Sequence, residues 1–313
     1  MTATGPTIRI GTRGSSLALI QAGLVADGLR SFGSEVRVET IVTDGDQRTP
    51  DTAWGEGAFV TAIERALTAG HIDVAVHSAK DVPTDEDPRL AIAAYLPRDM
   101  ADDVLVLPAG AQIDRLEDLP HGARVGTDSP RRSAFLRAAR SDLRVHPLHG
   151  NVDTRLRRLD AGETDALVLA AAGLRRLGRA DRISLVFPFD VLPSAPGQGA
   201  LAVQVRADDA ATRAAVRRLD DAATRQAVVV ERGLLAASGG GCRAPVGALG
   251  RIVDGHLRLR AGFASGDGSV AVTAMSTGPA AGDQAIIAAT LADLADRAAA
   301  AAASLRRPRV IVT

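Results

Sequence analysis

Short apolar runs alternate with amphipathic stretches along the first third of the chain. Residues 6–33 predict a strand, a Gly/Ser turn and an amphipathic helix that begins at Ser15 or Ser16 and ends at Gly33. Apolar periodicity then predicts a strand, a helix and a buried strand at residues 35–43, 57–70 and 72–78. This alternation of strands and helices favours an α/β fold with a parallel or mixed sheet.

The same order of elements recurs further along the chain. Residues 124–140 predict a strand, a turn and a helix that repeat the unit starting at Arg9, and the spacing AG..D..V at residues 69–76 recurs at residues 161–168. Two lobes of one topology are therefore expected. In each lobe small hydroxyl residues open a helix directly after a strand, where free backbone N–H groups favour anions. A ligand cleft between the two lobes follows from this arrangement.

The remaining segments predict how the lobes connect and end. Residues 191–209 predict a linker and a strand that returns to the first lobe. A hairpin around the SGDG at 265–268 and a long closing helix indicate a small α+β domain. We therefore predict three domains: an α/β lobe 1 at 1–99 with a return segment 199–218, an α/β lobe 2 at 100–198, and an α+β domain at 219–313.

Composition and charge narrow the functional classes. The chain has one cysteine, so an internal disulfide is excluded, and its apolar runs are shorter than the ~20 residues that a membrane span needs. With no signal peptide visible, we expect a cytoplasmic protein with no membrane partner. Residues 124–182 carry 13 arginines and 7 carboxylates, which indicates an anion site. Nucleic acid is a weak alternative, because only 3% of residues are aromatic and no recognition helix is visible.

The segment HSAKDVP follows a buried strand, at the end where α/β proteins usually bind ligands. It contains Lys80, the only lysine of the chain, whose compact ammonium differs from the planar guanidinium of the other basic residues. Ser78 and Lys80 could hold an anion, and Asp81 could serve as an acid–base group. The competing interpretation is a solvated loop with a local Lys–Asp pair.

Arginines are concentrated at the starts of predicted helices. Arg131 and Arg132 follow Ser129 at a helix N-terminus, where cations are normally unfavourable and a bound polyanion would explain them. The alternative is that both of them, or only one, point away into solvent. Arg155 comes next, in HGNVDTR, where Asn151 is expected to cap the following helix. Either Arg175 or Arg176 is expected to be only a helix C-terminal charge.

Cys242 lies in the stretch GGGCRAP, where three glycines precede it and a proline follows. A free cysteine is usually a small buried hydrophobe, but such flanks argue against a packed core. No histidine is near it in sequence, and one cysteine with six histidines makes a metal site improbable; we predict none. An accessible thiol that serves as a covalent attachment point fits best.

Together these segments resemble the porphobilinogen deaminase (hydroxymethylbilane synthase) family over nearly the whole chain. The similar motifs, in order, are RIGTRGSSLALIQA, AVHSAKDVPT, VGTDSPRR, GNVDTRL, AAGLRRL, PGQGAL and GGGCRAPVG. The resemblance implies two similar periplasmic-binding-protein-like α/β lobes plus a small α+β C-terminal domain. It also implies a dipyrromethane cofactor attached through a thioether to Cys242, which would explain a thiol on a glycine loop.

The implied reaction joins four molecules of porphobilinogen head to tail and releases one ammonia each time. By match to the family motifs, Asp81 stabilises the cationic intermediate and moves protons. The same match assigns Ser78, Lys80, Asp81, Ser129, Arg131, Arg132 and Arg155 to the cofactor. It assigns Arg13, Ser15, His149, Arg155, Arg176 and Phe59 to the substrate, whose acetate and propionate groups make the growing chain a polyanion. A monomer is expected.

Three positions depart from the family pattern. The family commonly has arginine at His149, serine at Asp128 and often lysine at Glu56, so each change lowers the positive charge near the site. The rival functional class is a non-catalytic two-lobed anion-binding protein. That class would explain the repeat and the arginines, but it leaves Cys242 and the third domain unexplained.

Overall fold

The computed structural model describes residues 7–43, 60–239 and 244–305, and these form three sheets with helices packed on them. Two sheets have five strands each, and the third has three. Within the described residues, the two α/β lobes and the small α+β unit confirm the predicted fold class.

The first sheet, lobe 1, has the strand order β2-β1-β3-β10-β4. Its strands are β1 (Ile8–Thr12), β2 (Val36–Thr40), β3 (Val74–Ser78), β4 (Leu90–Tyr95) and β10 (Leu201–Arg206). β1 pairs parallel with both β2 and β3, whereas β10 runs antiparallel to β3 and β4. Helices α1 (Ser16–Ser31), α2 (Thr61–Thr68) and α6 (Ala210–Arg217) accompany this sheet.

Helix α1 forms where its caps and apolar face allow it. The side chain of Ser15 accepts a hydrogen bond from the Ala18 amide at 3.4 Å, which satisfies one free donor of the first turn. Gly33 follows the helix with φ +87°, a conformation that glycine adopts at little cost. The buried face, with Val25 and Leu29 fully excluded from solvent, packs on the apolar residues of β1 and β3.

The second sheet, lobe 2, has the equivalent order β7-β6-β8-β5-β9. Its strands are β5 (Asp103–Val106), β6 (Arg124–Gly126), β7 (Arg144–His146), β8 (Ala166–Ala170) and β9 (Leu185–Val186). Its helices are α3 (Pro130–Ala139), α4 (Val152–Asp160) and α5 (Ala171–Arg176). β6 is parallel to β7 and β8, and β5 is antiparallel to β8 and β9. The equal strand order confirms the predicted repeat of topology.

Two segments cross between the lobes. The chain leaves lobe 1 after β4 and enters lobe 2 at β5, then returns after β9 to form β10 of lobe 1. Each crossing therefore ends in the antiparallel strand of the sheet that it enters. The parallel strands of both lobes keep their C-terminal ends at the same junction, and this places the loops that follow them around one cleft.

The third unit contains the antiparallel strands β11 (Val246–Val253), β12 (His256–Ala264) and β13 (Ala271–Pro279). Strands β12 and β13 form the hairpin expected around SGDG. Helices α7 (Ala222–Ala237) and α8 (Asp283–Leu305) pack on this sheet around Leu234, Leu257 and Ile287. In the described part of the chain, no helix has the length and hydropathy needed to cross a membrane.

Candidate active site

A cavity of about 230 Å³ lies between the two lobes, at the C-terminal ends of their parallel strands. Both lobes and the returning segment line it. The polar and charged lining residues are Arg13, Ser15, Gln21, Ser78, Lys80, Asp81, Arg132, Asn151, Arg155 and Arg176. A smaller cavity of about 90 Å³ adjoins it under α1 and shares Arg13, Ser15 and Asp81.

Lobe 1 supplies the loops that follow β1 and β3. These strands are neighbours in the sheet, so Ser15 at the start of α1 and Ser78 at the end of β3 lie on the same edge. Gln21 of α1 is buried and donates from Nε2 to the Ser78 hydroxyl at 3.1 Å. This bond fixes the hydroxyl at the rim of the cavity.

Asp81 ends the 3₁₀ helix Ala79–Asp81 that follows β3, and its carboxylate is exposed to the cavity. It forms no hydrogen bond or ion pair with another residue of the described ranges. Its charge nevertheless reaches Lys80 and Arg155, where it favours the protonated form of each. Its acceptor oxygens are therefore accessible from the cavity to N–H donors.

Lys80 enters a buried network that joins the two lobes. Its Nζ donates to Oε1 of Gln198 at 3.1 Å, and Nε2 of Gln198 donates to Asp103 Oδ1 at 3.0 Å and to the Ala101 carbonyl at 2.7 Å. Gln198 and Asp103 are fully buried. Burial, and next the charge of Arg132, lower the pKa of Lys80 to about 8.

The arginine pair at the start of α3 is buried and forms ion pairs with one carboxylate. Arg131 forms an ion pair with Asp103 Oδ2 at 2.7 Å and donates to the Pro193 carbonyl. Arg132 donates from Nε and Nη2 to Asp103 Oδ1 at 3.0 and 2.7 Å. The alternative in which both or one of them point into solvent is wrong, since both are at most 6% exposed. Of the two, only Arg132 lines the cavity.

Asp103 is the only carboxylate that these network cations contact within the described residues. Although burial opposes it, Arg131 and Arg132 hold the pKa of Asp103 well below its usual range. One negative charge thus faces three cations, namely Lys80, Arg131 and Arg132. The network keeps an excess of buried positive charge, which is costly unless an anion is bound.

Two further arginines of lobe 2 line the cavity. Nε of Arg155 donates to the Gly150 carbonyl at 2.7 Å, and Nη2 of Arg176 donates to the Gly199 carbonyl at 2.6 Å. Burial, and next the neighbouring Arg132, lower the pKa of Arg155 to about 10, and burial also lowers that of Arg176. Asn151 caps α4 as expected, accepting from the Thr154 amide at 2.9 Å.

The charge balance of the cavity indicates the ligand that it suits. Of the described residues that line it, five are cationic and only Asp81 is anionic. Guanidinium groups pair well with carboxylates and stay charged at any working pH. The described residues hold no cluster of three or more metal-ligating side chains. The cavity is built for a molecule with several negative groups.

Comparison with known proteins identifies the family. The model described as "Porphobilinogen deaminase, dipyromethane cofactor binding domain" matches residues 8–214, and the model described as "Porphobilinogen deaminase, C-terminal domain" matches residues 225–294. The chain belongs to the porphobilinogen deaminase family. A porphobilinogen deaminase of Mycobacterium tuberculosis is 45% identical over 282 residues, covering 87% of this chain and 90% of that protein. A porphobilinogen deaminase of Nocardia farcinica is 47% identical over 288 residues, covering 88% of this chain and 82% of that protein.

The family assignment confirms the resemblance seen in the sequence, and it supports the catalytic interpretation rather than the non-catalytic alternative. Among solved structures, the chain is similar to a periplasmic substrate-binding protein of an ABC transporter from Coxiella burnetii. The identity is 15%, with 75% of this chain and 98% of that chain covered and a TM-score of 0.42.

His149, which the family motif assigned to substrate, does not line the cavity. It is 7% exposed, and its Nδ1 lies 2.9 Å from Asp128 Oδ1. Two residues that depart from the family pattern thus lie in contact with each other, and the substrate-binding role of His149 stays a prediction. Ser129 is also used internally, because it caps α3 and accepts from the Arg132 amide at 3.4 Å.

Three residues of the sequence analysis lie outside the described residues: Cys242, Phe59 and Glu56. Their predicted roles remain predictions. The described residues before Cys242 end at Gly239, just after α7, and those after it begin at Ala244.

The sequence analysis assigned no role to three residues that shape the site: Asp103, Gln198 and Gln21. Gln198 had a visible signal, since it lies between two glycines in PGQGAL. Both glycines have positive φ, and a Cβ on Gly199 would come within 2.4 Å of the Asp99 carbonyl oxygen. Such close backbone contact marks Gln198 as a junction residue. Asp103 and Gln21 had no comparable signal.

Proposed function

We propose that this protein condenses four porphobilinogen molecules into the linear tetrapyrrole hydroxymethylbilane, with loss of one ammonia per molecule. The observation that carries the proposal is the excess of buried positive charge around Lys80, Arg132 and Arg155, with the exposed carboxylate of Asp81 among them. A growing chain of pyrroles with acetate and propionate groups needs such counter-charges. Its reaction centre needs one carboxylate.

Asp81 is proposed to act at the reacting carbon. Loss of ammonia from porphobilinogen leaves a cationic methylene-pyrrole, and the ionised carboxylate stabilises that cation while accepting hydrogen bonds from pyrrole N–H groups. When the new carbon–carbon bond has formed, the attacked pyrrole carbon loses its proton, which Asp81 is placed to accept. Asp81 passes this proton to solvent, where the released ammonia takes it up as ammonium, so the cycle balances.

The cations hold the carboxylates of the bound chain. We assign Ser78, Lys80, Asp81, Ser129, Arg131, Arg132 and Arg155 to the cofactor side and Arg13, Ser15, His149, Arg155, Arg176 and Phe59 to the substrate side. Within this set, Arg131 and Ser129 act from behind the cavity wall, through Asp103 and Arg132. The fixed charges orient the pyrroles without reorganising during the reaction.

The residues present fit a dipyrromethane cofactor, since its four carboxylates match the cationic excess of the cavity. We propose that it is attached to Cys242 through a thioether. When bound, it supplies the nucleophilic pyrrole carbon to which the first substrate is added. Cys242 follows α7, and Gly239 after that helix has φ +70°, which a residue with a Cβ rarely adopts.

We also propose the domain boundaries 1–99 with 199–218, 100–198 and 219–313, a cytoplasmic location and a monomeric state. The position of β10 in the first sheet and of β5 in the second supports the boundaries. Size-exclusion chromatography with light scattering tests the monomer.

The function is tested by product stoichiometry. Incubated with porphobilinogen, the protein is expected to release one ammonia per porphobilinogen consumed and one linear tetrapyrrole per four. Both are measured, by enzymatic ammonia assay and by mass spectrometry of the product. Saturable binding of porphobilinogen without release of ammonia would favour the non-catalytic anion-binding alternative.

Lys80 supplies a second test, through stability. Its pKa in the folded protein is about 8, against an ordinary value of 10.5. Between pH 8 and pH 10.5 the unfolded chain binds a proton that the folded protein does not bind, so the free energy of unfolding rises with pH across this range. Below pH 8 the buried charge of Lys80 lowers the free energy of unfolding by up to about 3 kcal/mol. In the Cys242→Ser protein, proposed to lack the cofactor, Lys80→Met should therefore raise the free energy of unfolding at pH 7 and have little effect near pH 10.5.

The control for this prediction is the protein that carries Cys242. A cofactor carboxylate near Nζ of Lys80 would offset the cost of the buried charge, so the same Lys80→Met change should stabilise it less. Urea unfolding of all four proteins at both pH values measures the difference. Equal gains with and without Cys242 would show that no bound anion compensates Lys80.

A further inference from the structure

Arg232 of helix α7 reaches out of the C-terminal domain and contacts the segment that contains Asp81. Its Nη1 donates to the Val82 carbonyl at 2.7 Å and to the Ala79 carbonyl at 3.4 Å. Its Nη2 donates to the Pro83 carbonyl and to the Glu86 carboxylate, each at 2.7 Å. One guanidinium, 11% exposed, therefore binds three carbonyls on either side of Asp81.

These contacts act on the backbone that positions Asp81. The 3₁₀ helix Ala79–Asp81 has a single turn, and Val82 and Pro83 follow it directly. Helix ends leave carbonyls without a partner, and a cation there satisfies them. The planar fork of Arg232 fixes these carbonyls relative to each other, so the segment cannot shift without breaking two hydrogen bonds of 2.7 Å.

Helix α7 is itself firmly held. Glu231, the residue before Arg232, is fully buried and accepts from both terminal nitrogens of Arg98, at 2.5 and 3.0 Å. It also accepts from the amides of Gly197 and Gly250, each at 2.7 Å. The helix that leads towards Cys242 is thereby anchored to the junction between the lobes and to its own sheet. Arg232 extends this rigid base to the Asp81 segment.

We propose that Arg232 is a positioning residue that holds the Asp81 carboxylate at a fixed place relative to the group carried by Cys242. The inference rests on the proposed function. The C-terminal domain would then do more than carry the thiol. Through one side chain, it would set the distance between the acid–base group and the pyrrole that reacts.

The same helix offers a matched control. Arg225 lies two turns earlier and also crosses to lobe 1, where Nη2 donates to the Ala93 carbonyl at 2.8 Å and Nε to Asp220 at 2.6 Å. Both arginines border one groove between α7 and β4. Arg225 contacts no residue of the Asp81 segment within the described chain, so Arg225→Met removes a similar interface contact without touching the site.

The experiment compares Arg232→Met, Arg232→Lys and Arg225→Met with the unmodified holoenzyme. Small displacements of a catalytic group can lower rates ~10²-fold, so Arg232→Met is expected to lower kcat about 10- to 100-fold, mainly without raising KM. Arg232→Lys, which retains three donors, should recover part of kcat. Arg225→Met should keep kcat within about 3-fold, even where urea unfolding shows an equal loss of stability.

Three readouts separate the outcomes. Intact mass shows whether each variant retains the cofactor, urea unfolding shows its stability, and kcat with KM shows the effect on catalysis. Equal kcat in Arg232→Met and Arg225→Met at equal stability would overturn the inference, and so would a loss of kcat explained wholly by a missing cofactor. An inactive unmodified protein without added mass would instead reject the proposed function. If Arg232→Met does not fold, Arg232→Lys with kcat equal to the unmodified protein contradicts the inference.

Discussion

Asparagine in place of Asp81 is expected to lower kcat about 10²- to 10⁴-fold, the usual loss when a positioned acid–base group is removed. The carboxylate is exposed to the cavity, among the described residues it has no internal partner, and it is the only anion of the lining. Asn keeps the shape and can still accept hydrogen bonds from pyrrole N–H groups. It can neither stabilise a cation by charge nor accept a proton, so the loss should fall on turnover.

Asp85→Asn is the matched control for Asp81→Asn. Asp85 is exposed in the loop that follows the same strand, but it does not line the cavity. The Asp85→Asn variant should retain nearly full kcat. Intact-mass measurement checks that both variants still carry the cofactor. Near-normal turnover of Asp81→Asn would assign the proton transfer to another group.

The fold was predictable because its elements follow local rules. Apolar periodicity placed β1, α1 and β3, and the cap residues Ser15 and Asn151 start their helices as expected. The repeat of strand, turn and helix gave two lobes, whose sheets have equivalent strand orders. The crossing of β5 into lobe 2 was less visible, because a four-residue apolar strand carries no information about its partner.

The site was predictable only as a set of loops that converge on a cleft. The polar residues that follow a predicted buried strand indicated Ser78, Lys80 and Asp81 as site residues. All three line the cavity. The pairing of the arginines was not visible, because Arg131 and Arg132 meet Asp103 across 28 and 29 positions of sequence. A carboxylate in a run such as ADDVLVLP has no local feature that distinguishes a buried counter-ion from a solvated charge.

His149 shows how one contact changes an interpretation. From sequence, a histidine where the family has arginine implied a weaker, pH-dependent contact with substrate. The structure also places its Nδ1 2.9 Å from Oδ1 of Asp128, whose charge acts on Arg155. Two positions that depart from the family pattern therefore lie in contact with each other, and neither belongs to the described residues that line the cavity.

Cys242→Ser is expected to abolish activity altogether and to lower the mass of the protein. An unmodified protein with a dipyrromethane thioether exceeds the mass of its bare sequence by two porphobilinogen units less two ammonias. Serine changes one atom, yet its hydroxyl is almost never ionised near pH 7, whereas a thiol supplies enough thiolate to form the bond. The variant should therefore show the bare mass apart from the substitution, and should release no ammonia from porphobilinogen.

The control variant for this loss is Ser238→Ala, at the end of the helix that leads into the same loop. Ser238 donates to the Leu235 carbonyl at 2.7 Å and does not line the cavity, so its loss should change neither mass nor activity. Because the sulfur would carry the covalent bond, the mass increment and the turnover must disappear together in Cys242→Ser. An active unmodified protein with the bare sequence mass would contradict the covalent attachment. An increment that survives the substitution would place that attachment at another residue.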